Sequence, residues 1–204
     1  MITNTIVENP GHDIAVLDKS VFLPEKFHFI YEGNHLMHVK YSLRDMSDRK
    51  LYKFKMNIFK ENTCLSDIKH HSLFKMTTNT QGNDRKKLVI HSKGIDKFIV
   101  SFKKEYSFDN DYTVAYYNKM KKRTENFYIY ENNYSIEIYY GNRRNENGVL
   151  VCKAERHVNN MLDYIIEIAP KIDKTFITLI IINLINMNQM SKNKSISKYK
   201  KKLF

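Results

Sequence analysis

TFITLIIINLINM, residues 175–187, decides the architecture. Wound as an α-helix it shows apolar side chains on almost every side, and a helix without a polar face has to be surrounded. Seven of the thirteen residues are β-branched, which keeps a buried strand as the alternative. Thirteen residues is long for a strand. Pro170 ends the segment before it and Asp173 stands where an N-cap belongs, so the helix is favoured. A membrane span needs roughly 20 predominantly apolar residues. This run is shorter and carries Asn183 and Asn186, which makes spanning the weaker reading.

Working outward, the period changes to two. From about Lys26 to Ile168 apolar and polar residues alternate, the pattern of strands with one buried face. Phe27, Phe29 and Tyr31 open it; Val39, Tyr41 and Leu43 follow, and then Tyr52, Phe54 and Met56 interleaved with Lys53 and Lys55. Further segments lie at 72–77, 87–91, 98–103, 112–118, 127–131, 134–140, 149–156 and 162–168, separated by polar breaks such as Asp109-Asn-Asp and Glu131-Asn-Asn. Such breaks are turn chemistry. Many short strands with no intervening helix disfavour βαβ units and point to an antiparallel barrel or sandwich. A sheet curled around the apolar helix explains both signals, since each supplies what the other must bury.

Composition agrees. The 204 residues fit one domain, and 14 Tyr and 12 Phe favour pleated surfaces. The two cysteines, Cys64 and Cys152, stand far apart and form no zinc or disulfide pattern. The first fifteen residues lack a basic start followed by a long apolar stretch, so no secretory signal is expected and the protein is read as cytoplasmic. The formal charge is +12, and residues 189–204, QMSKNKSISKYKKKLF, hold six lysines and no acid. The body therefore carries 28 basic and 22 acidic side chains, a surplus of +6. The expected organisation is a barrel domain over 1–188, ending in a central helix at 174–188, and a flexible lysine-rich tail at 189–204.

The C-terminal order of residues adds a resemblance. Lys153-Ala-Glu-Arg156 is followed by Asp163-Tyr-Ile-Ile-Glu-Ile-Ala-Pro170, then Lys171-Ile-Asp173, then the apolar run. This succession resembles the end of the LURP-one-related family, which belongs with tubby and the phospholipid scramblases in the tubby-like superfamily. It covers about a fifth of the chain, and Lys171 replaces the glycine that commonly follows the proline. The resemblance implies a mainly β fold: a closed antiparallel barrel of about twelve strands threaded by the C-terminal helix.

Chemistry is less legible. His35 and His38, and His70 and His71, point to opposite faces of a strand, so no metal site is expected. Spacing nominates no catalytic triad, and no glycine pattern cradles a nucleotide. No cofactor and no enzyme activity are expected. Basic clusters are the informative feature. Lys119, Lys121, Lys122 and Arg123 lie between two strands, where an exposed hairpin can gather cations on a phosphorylated headgroup, and Arg143 and Arg144 sit in another turn. The bland alternative is a solvated turn. In the tail, Lys198, Lys200, Lys201 and Lys202 would add about 1 kcal/mol each at an anionic bilayer, or serve as a solubilising tail or a nuclear import signal. Nucleic-acid binding is a minor reading, because no RNP-like or zinc-finger signature is present.

The resemblance and the charge together imply a non-enzymatic binding module, peripheral to a membrane, that takes anionic phospholipid or phosphoinositide headgroups. Scramblase-like lipid translocation and a protein-interaction scaffold are the alternatives. Asp163, Glu167 and Asp173 are too few and too scattered to make a calcium site.

Overall fold

Alternating side chains build twelve strands, and a single helix fills the space they enclose. A computed structural model describes residues 6–17, 21–35, 38–57, 62–81, 85–92, 97–104, 111–141 and 148–201; side chains at 34, 35, 80, 81, 85, 86, 97–99, 104 and 188–201 are not described. The strands are β1 (Lys26–His35), β2 (His38–Arg44), β3 (Lys50–Asn57), β4 (Asn62–Asp67), β5 (Ser72–Gln81), β6 (Arg85–Ser92), β7 (Lys97–Lys104), β8 (Asp111–Asn118), β9 (Arg123–Glu131), β10 (Ser135–Tyr140), β11 (Val149–His157) and β12 (Asn160–Ile168), followed by α1 (Lys174–Lys201). Each strand pairs with its sequence neighbour, and β1 closes the barrel on β12, with Lys26 opposite Glu167 and Phe29 opposite Tyr164. All pairings are antiparallel, so no sheet edge is left open to aggregation.

The inward positions are apolar and large. Phe27, Phe29, Tyr41, Phe54, Phe102 and Phe127 are fully buried. Phe29 stacks on Tyr41 at 4.3 Å, and Tyr116 stacks on Phe127 at 4.4 Å while tilting against Phe176 of α1. The outward positions include Lys40, Lys55, Lys75 and Glu155. That is the inverse of a membrane-spanning barrel, whose outer band is apolar. Among the described residues, no helix is long and apolar enough to cross a membrane.

The apolar run lies inside: no residue from 175 to 187 is more than 6 % exposed. Its polar groups are matched to the wall. Thr78 donates to Asn183 Oδ1 at 2.6 Å, and Asn186 donates to Thr63 Oγ1 at 3.3 Å. The two asparagines that argue against a membrane span therefore fix the helix at a set depth in the barrel. Asp173 caps α1 by accepting from the Phe176 amide at 2.9 Å. Just before it Lys171 adopts φ +62°, the left-handed conformation that glycine adopts without strain.

Among the differences from the sequence reading, two concern whole elements. Strand β4, NTCLSD, went unread because Leu65 is its one large apolar side chain. The helix also runs on to Lys201 instead of ending at Asn188. Residues 189–201 contain no glycine or proline to stop it, and lysines near a helix C-terminus complement its dipole. Twenty-eight residues of helix measure about 42 Å. Strands of at most 10 residues, tilted as in a barrel, reach roughly 26 Å along the axis. The last turns of α1 thus stand beyond the rim where β4 begins.

Candidate anion-binding surfaces

The β8–β9 connection is a turn at 119–122, and β9 starts at Arg123, four residues before the sequence reading placed it. Lys122 carries φ +52° at the apex. The cations here do not converge outward, because a buried carboxylate lies beneath them. Glu125 accepts from Asn118 Nδ2 at 2.8 Å, from Arg123 Nε and Nη2 at 3.0 and 2.8 Å, and from the Tyr140 hydroxyl at 3.0 Å. Lys121 Nζ lies 3.8 Å from the same carboxylate. Burial pushes the Glu125 carboxyl up, but hydrogen bonds from Asn118, Arg123 and Tyr140 and the Lys121 charge outweigh it, holding the pKa at about 2. Burial and the Glu125 charge drive the neighbouring Tyr116 hydroxyl upward.

Glu125 belongs to a latch that holds the N-terminal segment. His12 Nε2 is 3.6 Å from it, and its partner Asn118 donates to the Asp13 carbonyl at 3.3 Å. Asp173 completes the latch: its second oxygen accepts from the amides of Val16 and Leu17 at 3.2 and 2.8 Å. Ile14 forms a parallel bridge with Ile172. Burial raises the Asp173 carboxyl despite those donors and the nearby Lys119 charge. Lys119, Lys121 and Arg123 thus face carboxylates of the protein itself. The turn also lies where α1 enters the barrel, whereas Lys198, Lys200 and Lys201 lie on the last turn of α1, past the opposite rim. The two basic features therefore cannot form one surface. Arg143, Arg144 and Lys202 lie outside the described residues.

A different cationic surface arises from strand register. Lys40 pairs with Lys55, Lys55 with Cys64, Cys64 with Lys75, and Lys75 with His91. These five residues form one row across the outer wall of β2–β6. Lys40, Lys55, Lys75 and His91 are exposed, and among the described residues none of the three lysines makes an ion pair. The opposite wall is built otherwise: Glu137, Lys153, Glu167 and Lys26 occupy successive register positions across β10, β11, β12 and β1 with alternating sign, and Lys26 meets Glu167 at 3.0 Å. Like charges directly opposite each other cost stability. The described row on one wall alternates in sign, whereas the described row on the other holds three lysines and no acid.

The row runs through a groove of about 380 Å³ whose lining includes His38, Lys55, Asn62, Cys64, Lys75 and His91. Burial, followed by the charges of Lys55 and Lys40, holds the His38 imidazole below its ordinary value. Cys64 Sγ rests 3.2 Å from Ser72 Oγ, between the two lysines. Cys152 is fully enclosed, and burial pushes its thiol well up. Sequence reasoning missed this surface because its members come from five strands, each reading as the polar half of an alternation. The signal present was that β2, β3 and β5 hold lysines at outward positions and no acids.

No protein-family model matches the chain, and no curated protein sequence does. The fold is similar to the X-ray structure of a protein from Arabidopsis thaliana, at 16% identity with a TM-score of 0.52, covering 91% of this chain and 99% of that one. At that identity the likeness concerns the fold alone, and the relationship it supports is a distant structural one.

Proposed function

We propose that the chain is a non-enzymatic binding module of the LURP-one-related type that associates, as a peripheral protein, with anionic phospholipid or phosphoinositide headgroups. The observation that carries this reading is the row Lys40, Lys55, Cys64, Lys75 and His91 on one wall, set against alternating charges on the other. An anionic surface laid on the β2–β6 wall relieves the repulsion within the row, so part of the binding free energy comes from strain already present in the free protein. Each lysine near such a surface contributes about 1 kcal/mol, and three on one wall act together. The family assignment draws on the order of residues from Lys153 to Asp173, which in the barrel become β11, β12, the turn and the helix cap.

Co-sedimentation with vesicles at physiological salt tests it. Binding is expected to require anionic lipid and to weaken as salt rises. Replacing Lys40, Lys55 and Lys75 together by Glu is expected to abolish it, while Lys122→Gln leaves it nearly unchanged. Equal sedimentation with neutral and anionic vesicles rejects the reading.

A further inference from the structure

We propose that the edge of the β2–β6 wall at the end where α1 enters is an apolar wedge: Phe22, Met46 and Ile68 enter the apolar boundary layer of a bilayer while the basic row above them meets its charged surface. This rests on the surface reading above and adds to it a second, uncharged element and an orientation.

The β2–β3 and β4–β5 connections both lie at that end, and they are built alike. Asp45 Oδ1 accepts from the Ser47 and Arg49 amides at 3.0 and 2.9 Å, and Asp67 Oδ1 accepts from the His71 amide at 2.8 Å. Asp48 and His70 take the left-handed conformation, at φ +63° and +69°. At the position after its aspartate each turn carries one large apolar side chain into solvent, Met46 and Ile68, both more than half exposed. Phe22 is 78 % exposed, and its backbone amide donates to the hydroxyl of Tyr52, which stands opposite Leu43 on β2 and Asp67 on β4. All three side chains are therefore placed around the foot of β3. Exposed apolar side chains gathered at one edge mark an interaction site, and those held on hydrogen-bonded turns lose little freedom on binding.

Charge selects the occupant. The strands above this edge carry Lys40, Lys55 and Lys75, and Lys53 donates to the Ile68 carbonyl at 3.2 Å. The aspartates of the two turns are taken up within the protein: Asp45 by Arg49, Asp48 by Arg44 and Asp67 by His71. Cations above and apolar side chains below match an anionic surface with an apolar layer beneath it. The depths agree as well. Cys64, in the row, and Ile68 are four residues apart, about 13 Å at the rise of a strand. A tilt of about 30° sets the edge roughly 6 Å deeper than the row, within the ~5–10 Å that apolar side chains reach into the headgroup and acyl boundary. Tyr134, Val158 and Met161 are exposed at the far rim, but they belong to β9–β12, where the described row alternates in sign.

The chain contains no tryptophan, so Phe22→Trp and Val158→Trp each install a single indole, the first at this edge and the second at the far rim, where Val158 is 93 % exposed. Vesicles of phosphatidylcholine and phosphatidylserine, with plain or brominated acyl chains, read its depth. On binding, the Phe22→Trp emission is expected to move to shorter wavelength and to be quenched by brominated chains, while Val158→Trp does neither. Phe22→Ser/Met46→Ser/Ile68→Ser is expected to weaken vesicle partition roughly tenfold or more at an unchanged melting temperature, because all three side chains are exposed; Val158→Ser should match the unaltered chain. Retention on these vesicles with Phe22→Trp unquenched, equal quenching at both positions, or undiminished partition of the triple serine variant overturns the wedge, gives the edge to another occupant and leaves the surface reading standing. Quenching of Phe22→Trp that persists on pure phosphatidylcholine vesicles and in high salt supports the wedge and overturns the surface reading. Absence of retention on either kind of vesicle overturns both.

Discussion

Glu125 is the residue with the most to say about pH. Its folded pKa of about 2 lies below the usual 4.5, so its contribution to stability is complete above 4.5 and is lost as pH falls through about 2. The integrated effect is on the order of 3 kcal/mol. Denaturant unfolding followed from pH 7 to pH 2 should show this loss, and Glu125→Gln should flatten the acid limb while lowering stability at neutral pH. Asp173 behaves differently, because one oxygen serves the helix and the other the N-terminal segment. An Asn there keeps one acceptor and turns an amide against the remaining N–H groups. Asp173→Asn is therefore expected to cost about 1–3 kcal/mol, read as a lowered urea midpoint. Lys171 offers the opposite sign. A non-glycine residue in the left-handed region costs about 1–2 kcal/mol, partly offset in glycine by roughly 0.5–1 kcal/mol of chain entropy. Lys171→Gly should thus raise stability by roughly 0.5–1 kcal/mol, and Lys171→Val should lower it.

At the scale of elements, the helix and the wall are joined by few polar contacts and many apolar ones, and the polar ones set the depth of insertion. Thr78→Val leaves the Asn183 oxygen without its 2.6 Å partner and should cost about 1–3 kcal/mol, while adding Asn183→Leu should recover much of that. A double-mutant cycle in urea would show the coupling. The same elements show what a sequence reveals. Phe27, Phe29, Tyr52 and Phe54 alternate with polar neighbours, so β1 and β3 can be read directly, and residues 175–187 are apolar enough to be recognised as core. Leu65 alone is too little signal for β4, and no breaker marks the end of α1. The cationic row is of another kind. Lys40, Lys55, Lys75 and His91 become neighbours only through register, and register depends on turn lengths and bulges, such as the shift between Leu65 and Ser66, that pattern reading does not resolve. The turn at 119–122 was legible as a basic hairpin. Its neutralisation by Glu125 was not, because it takes a side chain on β9 reaching back beneath the turn.

For the whole molecule, the fold separates three basic features: the turn at the end where α1 enters, the last helical turn past the other rim, and the row on one wall. Of these, the row combines exposure, register and a groove. Cys64 lies within it, half-buried between Lys55 and Lys75, while Cys152 is enclosed. A small neutral maleimide therefore reports on one position in the native protein. The decisive measurement is the alkylation rate of Cys64 with neutral vesicles and with vesicles containing anionic lipid. If the β2–β6 wall is the binding surface, anionic vesicles slow the reaction several-fold, and Lys40→Glu/Lys55→Glu/Lys75→Glu removes the protection. An unchanged rate under conditions where the chain is fully vesicle-bound would place the contact elsewhere and contradict the account.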